Sequence, residues 1–176
     1  MKIYFVRHAQ TTANKEQKIE GHTQGEITPE GRKQARTTAQ QLASINFEAA
    51  YTSDLTRCTQ TTNILLEEHT IQATKDSRLR GRNYGSYEGK PVGSIDWKEE
   101  GKTFEHENNY TQRVQEIIKE IVSQHTGNVL IVTHGGVIRR TLHNYCKYEQ
   151  EKAMSKDIPN AQTLIVDFET NTCQIP

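Results

Sequence analysis

Apolar positions along this chain fall into short runs separated by polar, glycine-punctuated stretches, and the runs differ in period. Residues 2–7 (KIYFVR) form a compact β-rich run near the start, which predicts a buried first strand. Thr28 and Pro29 supply an N-cap and a first-turn proline, and helix formers continue to about Ile45, so a first helix is expected there. Residues 49–52 read as a second strand. Ser53 or Asp54 is placed to cap a second helix with a stripe of Leu55, Ile64, Leu65 and Leu66, and residues 71–74 read as a third strand. Tyr110, Val114, Ile117, Ile118, Ile121 and Val122 recur at helical spacing, with Gly127 expected to stop that helix. Residues 129–132 are apolar in succession, the mark of a strand covered on both faces. A helix from about 137 to 145 and a strand at 163–168 complete the pattern.

Alternating strands and helices predict an α/β fold, a three-layer sandwich with a mostly parallel central sheet and helices on both faces. A length of 176 residues suits one domain over 1–176, and the chain shows no repeat and no linker. The pattern breaks at about 76–108 into Gly, Arg, Tyr, Pro and Trp, a loop-rich insertion too long for a simple connection and expected to face substrate. Lys+Arg equals Asp+Glu at 22 each, so there is no net field to gather nucleic acid or an anionic membrane, and no basic stripe with interleaved aromatics. The longest strongly apolar run, 129–132, falls far short of the ~20 residues that cross a bilayer, and the N-terminus lacks the apolar stretch of a secretory signal. Cys58, Cys146 and Cys173 are odd in number and lack CxxC spacing, which argues against a disulfide framework or zinc knuckle and fits a reducing cytoplasm.

Ligands of open α/β sheets collect beyond the carboxyl ends of the strands. The first strand ends in Arg7-His8, the most apolar strand in His134-Gly135-Gly136, and Arg57 lies one turn into a helix that starts at the same edge. Two histidines and two arginines are therefore expected together. Two guanidinium groups would repel a divalent cation, and no carboxylate shares either histidine turn, so no metal is expected. Arginine forks match phosphoryl oxygens and keep their charge, which makes a small phosphorylated molecule the expected ligand. Neither Cys58 nor Cys146 is followed six residues later by an arginine, and residues 85–91 (GSYEGKP) have the wrong glycine spacing for a P-loop. A neutral imidazole can attack phosphorus itself, and His8 is placed to do so. His22, His69, His125 and His143 form no metal set, though His22 sits in the loop nearest the phosphate.

With those residues in view, the chain resembles the histidine phosphatase superfamily, the branch that also contains cofactor-dependent phosphoglycerate mutase. The resemblance runs through RHAQTTAN (7–14), EGHTQGEITPEGRKQA (20–35), YTSDLTRCTQTT (51–62), LRGRNYGSYEGK (79–90), VLIVTHGGVIRR (129–140) and IPNAQ (158–162). It implies a phosphoglycerate mutase-like fold, no cofactor, and His8 as the phosphorylated nucleophile with Arg7, Arg57 and His134 around the phosphoryl group. Asn14, Gly21 and Gly135 fall on phosphate-side positions, His22 beside them, and Arg82 and Tyr84 where mutases touch the rest of the substrate.

Ala9 replaces the glycine after the nucleophile, and Gln24 and Glu26 stand where Asp and Pro are usual. The larger departure is Gly81, at the position where the family carries a glutamate that protonates the leaving oxygen. Another carboxylate substitutes (Glu20, Glu88 or Glu105), or the leaving group is an easy one such as an aryl phosphate or phosphohistidine, or the chain mainly binds phospholigands. The short chain favours a phosphatase over a mutase, which would need extra cover to hold a bisphosphate while it reorients.

Overall fold

The computed structural model describes residues 1–175. Its elements, in chain order, are β1 (Lys2–Arg7), α1 (Thr12–Lys15), α2 (Pro29–Leu42), β2 (Phe47–Thr52), α3 (Thr56–Leu65), β3 (Ala73–Lys75), α4 (Glu107–Gln124), β4 (Asn128–Thr133), α5 (Gly135–Tyr145), α6 (Gln150–Ser155), β5 (Thr163–Asp167) and β6 (Thr172–Gln174). One sheet runs in the order β3-β2-β4-β1-β5-β6; the first four strands are mutually parallel, and β5 and β6 add antiparallel. The α/β expectation holds.

Two helical layers explain why β1 and β4 are apolar residue after residue. Ile3, Phe5, Val129 and Ile131 pack under α4, α5 and α6, against Val114, Ile117, Ile138, Leu142 and Ala153. Tyr4, Val6, Leu130 and Val132 point the other way, to Leu42 of α2 and to Cys58 and Leu65 of α3. Burying each such Leu or Ile contributes roughly 1.5–3 kcal/mol, so a polar residue at any of these positions would damage one layer.

Several boundaries and caps differ from expectation. The third strand is Ala73–Lys75 rather than 71–74. Neither Ser53 nor Asp54 caps α3: its N-cap is Leu55, without a side-chain bond. Gln24 reaches across the loop to accept from the Thr56 N–H and hydroxyl (2.9 and 2.8 Å), so this tertiary contact satisfies an amide that a local cap would have served. Asp54 instead accepts from Arg80, and Ser53 turns to His134. Gly127 does not stop α4, which ends at Gln124 with an extended His125; the Gly127 N–H donates to Glu48.

The cysteine expectation is overturned. Cys146, just after α5, and Cys173, on β6, form a disulfide, which leaves only Cys58 free and buried. The pair is 27 residues apart and meets because β6 folds back beside β5, a contact that spacing does not reveal. With it falls the argument from cysteine usage for a reducing cytoplasm. No helix among the described residues is long and apolar enough to cross a membrane. Between β3 and α4 lies a stretch with single 3-10 turns at Ser77–Leu79, Gly85–Tyr87 and Trp97–Glu99.

Candidate active site

Register builds the site. β1 and β4 are parallel, with Arg7 opposite Thr133, so His8 and His134 leave adjacent strand ends side by side, their rings 5.1 Å apart. On the other side of β4, Thr52 pairs with Val132, which brings Ser53 level with the same edge. Arg7, His8, Asn14, Gly21, Arg57, Arg82, Tyr84, His134 and Gly135 all line one cavity of about 560 Å³. Ala9 costs nothing: its methyl is buried with Ile27, Ala35 and Ile64, and its N–H donates to Thr61.

His8 is buried, and its Nδ1 lies 2.9 Å from the Ala9 carbonyl. Only an Nδ1–H can make that bond, so the lone pair is on Nε2, as a nucleophile requires. Burial and the neighbouring Arg57 and Arg7 hold the ring's pKa well below that of ordinary histidine, so it stays neutral. His134 is held neutral by burial and then by Arg57; its Nε2 lies 3.0 Å from Ser53 Oγ and its Nδ1 3.5 Å from Arg57 Nη2. An arginine can only donate, so His134 Nδ1 is the accepting atom and Nε2–H bonds to Ser53.

Arg57 donates to the carbonyls of Thr23 (2.8 Å) and Gly21 (2.7 Å), while its buried Nε is ion-paired with Glu20 Oε2 at 3.4 Å. Arg7 bonds the Ile158 carbonyl, and its Nε is buried without a hydrogen-bond partner. Burial and then Arg139 lower the Arg7 pKa to about 10, which leaves it cationic at neutral pH. Asn14 Oδ1 accepts from the Thr11 N–H and from Asn160, so its amide nitrogen is the donor left for a ligand. Gly21 has φ +53°, and a Cβ there would lie 2.1 Å from Glu88 Oε1, so this turn favours glycine. The buried guanidinium groups of Arg7 and Arg57 line the same cavity as the neutral imidazole, and together they can hold a tetrahedral anion next to a nucleophile.

His22 is not among the lining residues; it lies behind the wall, its Nε2 2.9 Å from the Gly81 carbonyl. Arg82 lines the cavity but is ion-paired with Glu100 and Glu107. Of the three substitute carboxylates, Glu88 is spent on the N–H groups of His22 and Tyr84, and Glu105 on Arg113. Glu20 does line the cavity, and burial raises its pKa, but Oε2 accepts from Thr11 (3.0 Å) beside Arg57. Its Oε1 is enclosed against Gly25, which does not line the cavity. Cys58 touches His134, yet burial pushes its thiol up to about 12, which leaves it inert.

Sequence reasoning missed Arg139 and Asn160. Arg139 lines the cavity near Arg7, and its spacing of four from Gly135 was a readable signal that both face the same edge. Asn160 bonds both the His8 carbonyl and Asn14 across more than 140 residues, which no local pattern shows.

The two depressed histidines predict a pH effect. An unfolded chain takes protons on these imidazoles near pH 6.5, whereas the folded chain refuses them until well below that. The unfolded state thus binds more protons as pH falls from about 6.5 to about 5, and denaturation midpoints should drop across that window. Saturating inorganic phosphate, which favours the charged rings, should flatten the drop; midpoints constant from pH 7 to about 5 would show that the rings are not held neutral.

Comparisons with known proteins identify the family and the fold. The model of the histidine phosphatase superfamily (branch 1) matches residues 3–176. A broad-specificity phosphatase of Saccharomyces cerevisiae is 31% identical, over 96% of this chain and 80% of its own length. Among solved structures, Bacillus stearothermophilus YhfR superposes with a TM-score of 0.87 at 25% identity, covering 99% of this chain and 94% of that one. A phosphoglycerate mutase from Bacillus anthracis shares the fold, with a TM-score of 0.84 at 21% identity over 100% and 91% of the two chains. With the family model matching nearly its whole length, the chain belongs to branch 1 of the histidine phosphatase superfamily.

Proposed function

We propose that this protein is a metal-independent phosphatase that hydrolyses small phosphate monoesters through a phosphohistidine on His8. The observation that carries the reading is the His8 tautomer: Nδ1–H is tied to the Ala9 carbonyl, so an unprotonated Nε2 is left in a cavity that the guanidinium groups of Arg7 and Arg57 also line. Those donors, the Asn14 amide and the free N–H groups at the start of α5 hold the phosphoryl oxygens. His8 Nε2 forms a bond to phosphorus as the ester P–O bond breaks, with negative charge passing to the leaving oxygen. Water then adds to phosphorus, the P–N bond breaks, neutral His8 and inorganic phosphate are released, and the proton lost by water ends on the leaving group. Throughout, Arg7 and Arg57 meet charge that builds on the phosphoryl oxygens, a role a resident divalent cation would contest by repulsion.

Trapping tests this directly. Enzyme mixed with a phosphate monoester and quenched in alkali, where a phosphoramidate survives, should carry one phosphoryl group on His8 by mass spectrometry. Sustained hydrolysis with His8 never modified would exclude the covalent route.

A further inference from the structure

The geometry points to an aryl phosphate, one whose leaving group is an aromatic ring, as the substrate class of this cavity, an inference that rests on the phosphatase reading above. Trp97 is 57% exposed, an unusual position for the chain's single tryptophan. Among the described residues, the other exposed large apolar side chains, Val92 and Tyr148, do not line the cavity, whereas Trp97 does. Nor is Trp97 loose. Its ring packs edge-on against buried Phe104, 5.9 Å between centroids, and Phe104 also contacts Tyr84 (6.1 Å) and Tyr87 (5.8 Å). The Arg82 guanidinium sits between Phe104 and Trp97, 5.1 and 5.6 Å from their centroids. Glu100, Glu107 and the Glu105 carbonyl anchor that guanidinium, so its charge is spent on holding the wall rather than on a ligand. Trp97 and Tyr84 thus offer a fixed aromatic wall beyond the phosphoryl cage, and Met154 of α6 adds an apolar contact to the lining.

Chemistry gives a second and independent reason. No carboxylate in the cavity is placed to protonate a leaving oxygen: Gly81 has none, Glu107 is paired with Arg82 and Arg140, and Glu20 is turned to Thr11 and Gly25. A phenolate can depart unprotonated, since its charge spreads into the ring; an alkoxide cannot do so readily. The wall selects an aromatic ring, and the missing acid favours a weakly basic leaving oxygen such as that ring carries.

Binding without turnover separates this inference from the phosphatase reading. Because Trp97 is the only tryptophan, its fluorescence reports directly on the wall. Phenylphosphonate, which cannot be hydrolysed, is expected to change Trp97 emission, to bind about tenfold more tightly than methylphosphonate, and to be displaced by inorganic phosphate. In Trp97→Leu, isothermal titration should show that preference reduced to within about twofold while methylphosphonate affinity holds, and Trp97→Phe should restore most of it. Equal affinities of the native protein for the two phosphonates, or equal losses of both in Trp97→Leu, would overturn the aryl assignment even if His8 is phosphorylated. Turnover adds a check on the leaving group: phenyl phosphate should be hydrolysed faster than a fluoroalkyl phosphate whose alcohol has been acidified toward the phenol range, and equal rates would also count against it.

Discussion

Replacing His8 with alanine is expected to lower turnover of p-nitrophenyl phosphate by roughly 10⁴-fold or more while leaving inorganic phosphate binding within a few-fold of the native protein. The two effects separate because different groups carry them. Arg7, Arg57, Asn14 and the N-terminus of α5 are positioned from outside His8: by the Ile158 carbonyl, by the carbonyls of Gly21 and Thr23, by Thr11 and Asn160, and by the end of β4. Alanine removes the lone pair and leaves these in place. The ring is neutral and faces the cavity, so its loss strands no buried charge and the fold should tolerate the change. Steady-state rates together with calorimetric phosphate titration check both halves. Turnover within tenfold of native would place the nucleophile elsewhere, and lost phosphate binding would show that His8 organises the cage rather than merely reacting in it. A protein that only binds phospholigands would differ already in its native form, holding phosphate but releasing no product beyond the first equivalent.

How much of this was legible without coordinates depended on the range of the physics involved. The apolar runs of β1 and β4 were readable because burial on both faces leaves no polar position to blur them. Arg7, His8 and His134 were readable because the rule placing ligands at carboxyl ends of parallel strands is a property of topology, and the strand ends were clear. What failed were choices among competing partners. Ser53 looked like a cap and instead orients His134; Gln24, 32 residues from Thr56, caps in its place. Cys146 and Cys173 meet only after β6 has folded back. His22 sits in the right loop, but its ring is taken by the Gly81 carbonyl, a partner 59 residues away that no local pattern shows. Gly81 itself was legible as a departure, yet the fate of Glu20, Glu88 and Glu105 required knowing which donors each carboxylate already serves.

Restoring a carboxylate by Gly81→Glu is expected to raise kcat on an alkyl phosphate such as glycerol phosphate by about 10²-fold, within the range of about 10² to 10⁴ that general acid catalysis supplies. The site admits the change. Gly81 lines the cavity, its backbone is not in the left-handed region, and its carbonyl is pinned by His22 and Arg113. An added Cβ would lie 3.2 Å from His134 Cγ, so the ring must yield by a few tenths of an ångström, which sets the new side chain beside His134 in the cavity lining. On p-nitrophenyl phosphate the gain should be less than about threefold, because a nitrophenolate leaves without help. A new titration should accompany the gain: the introduced acid works only while protonated, so the alkyl rate should fall as pH rises through its pKa, a limb absent from the native profile. Measuring kcat as well as kcat/KM matters, since an added negative charge near the cage weakens substrate binding even as it speeds bond cleavage. Equal gains on both esters would mean that the glutamate acts by repositioning His134 rather than by giving a proton. No gain on either would mean that the native protein already has a donor, and Glu20, the lining carboxyl whose pKa burial raises, would be the group to replace next.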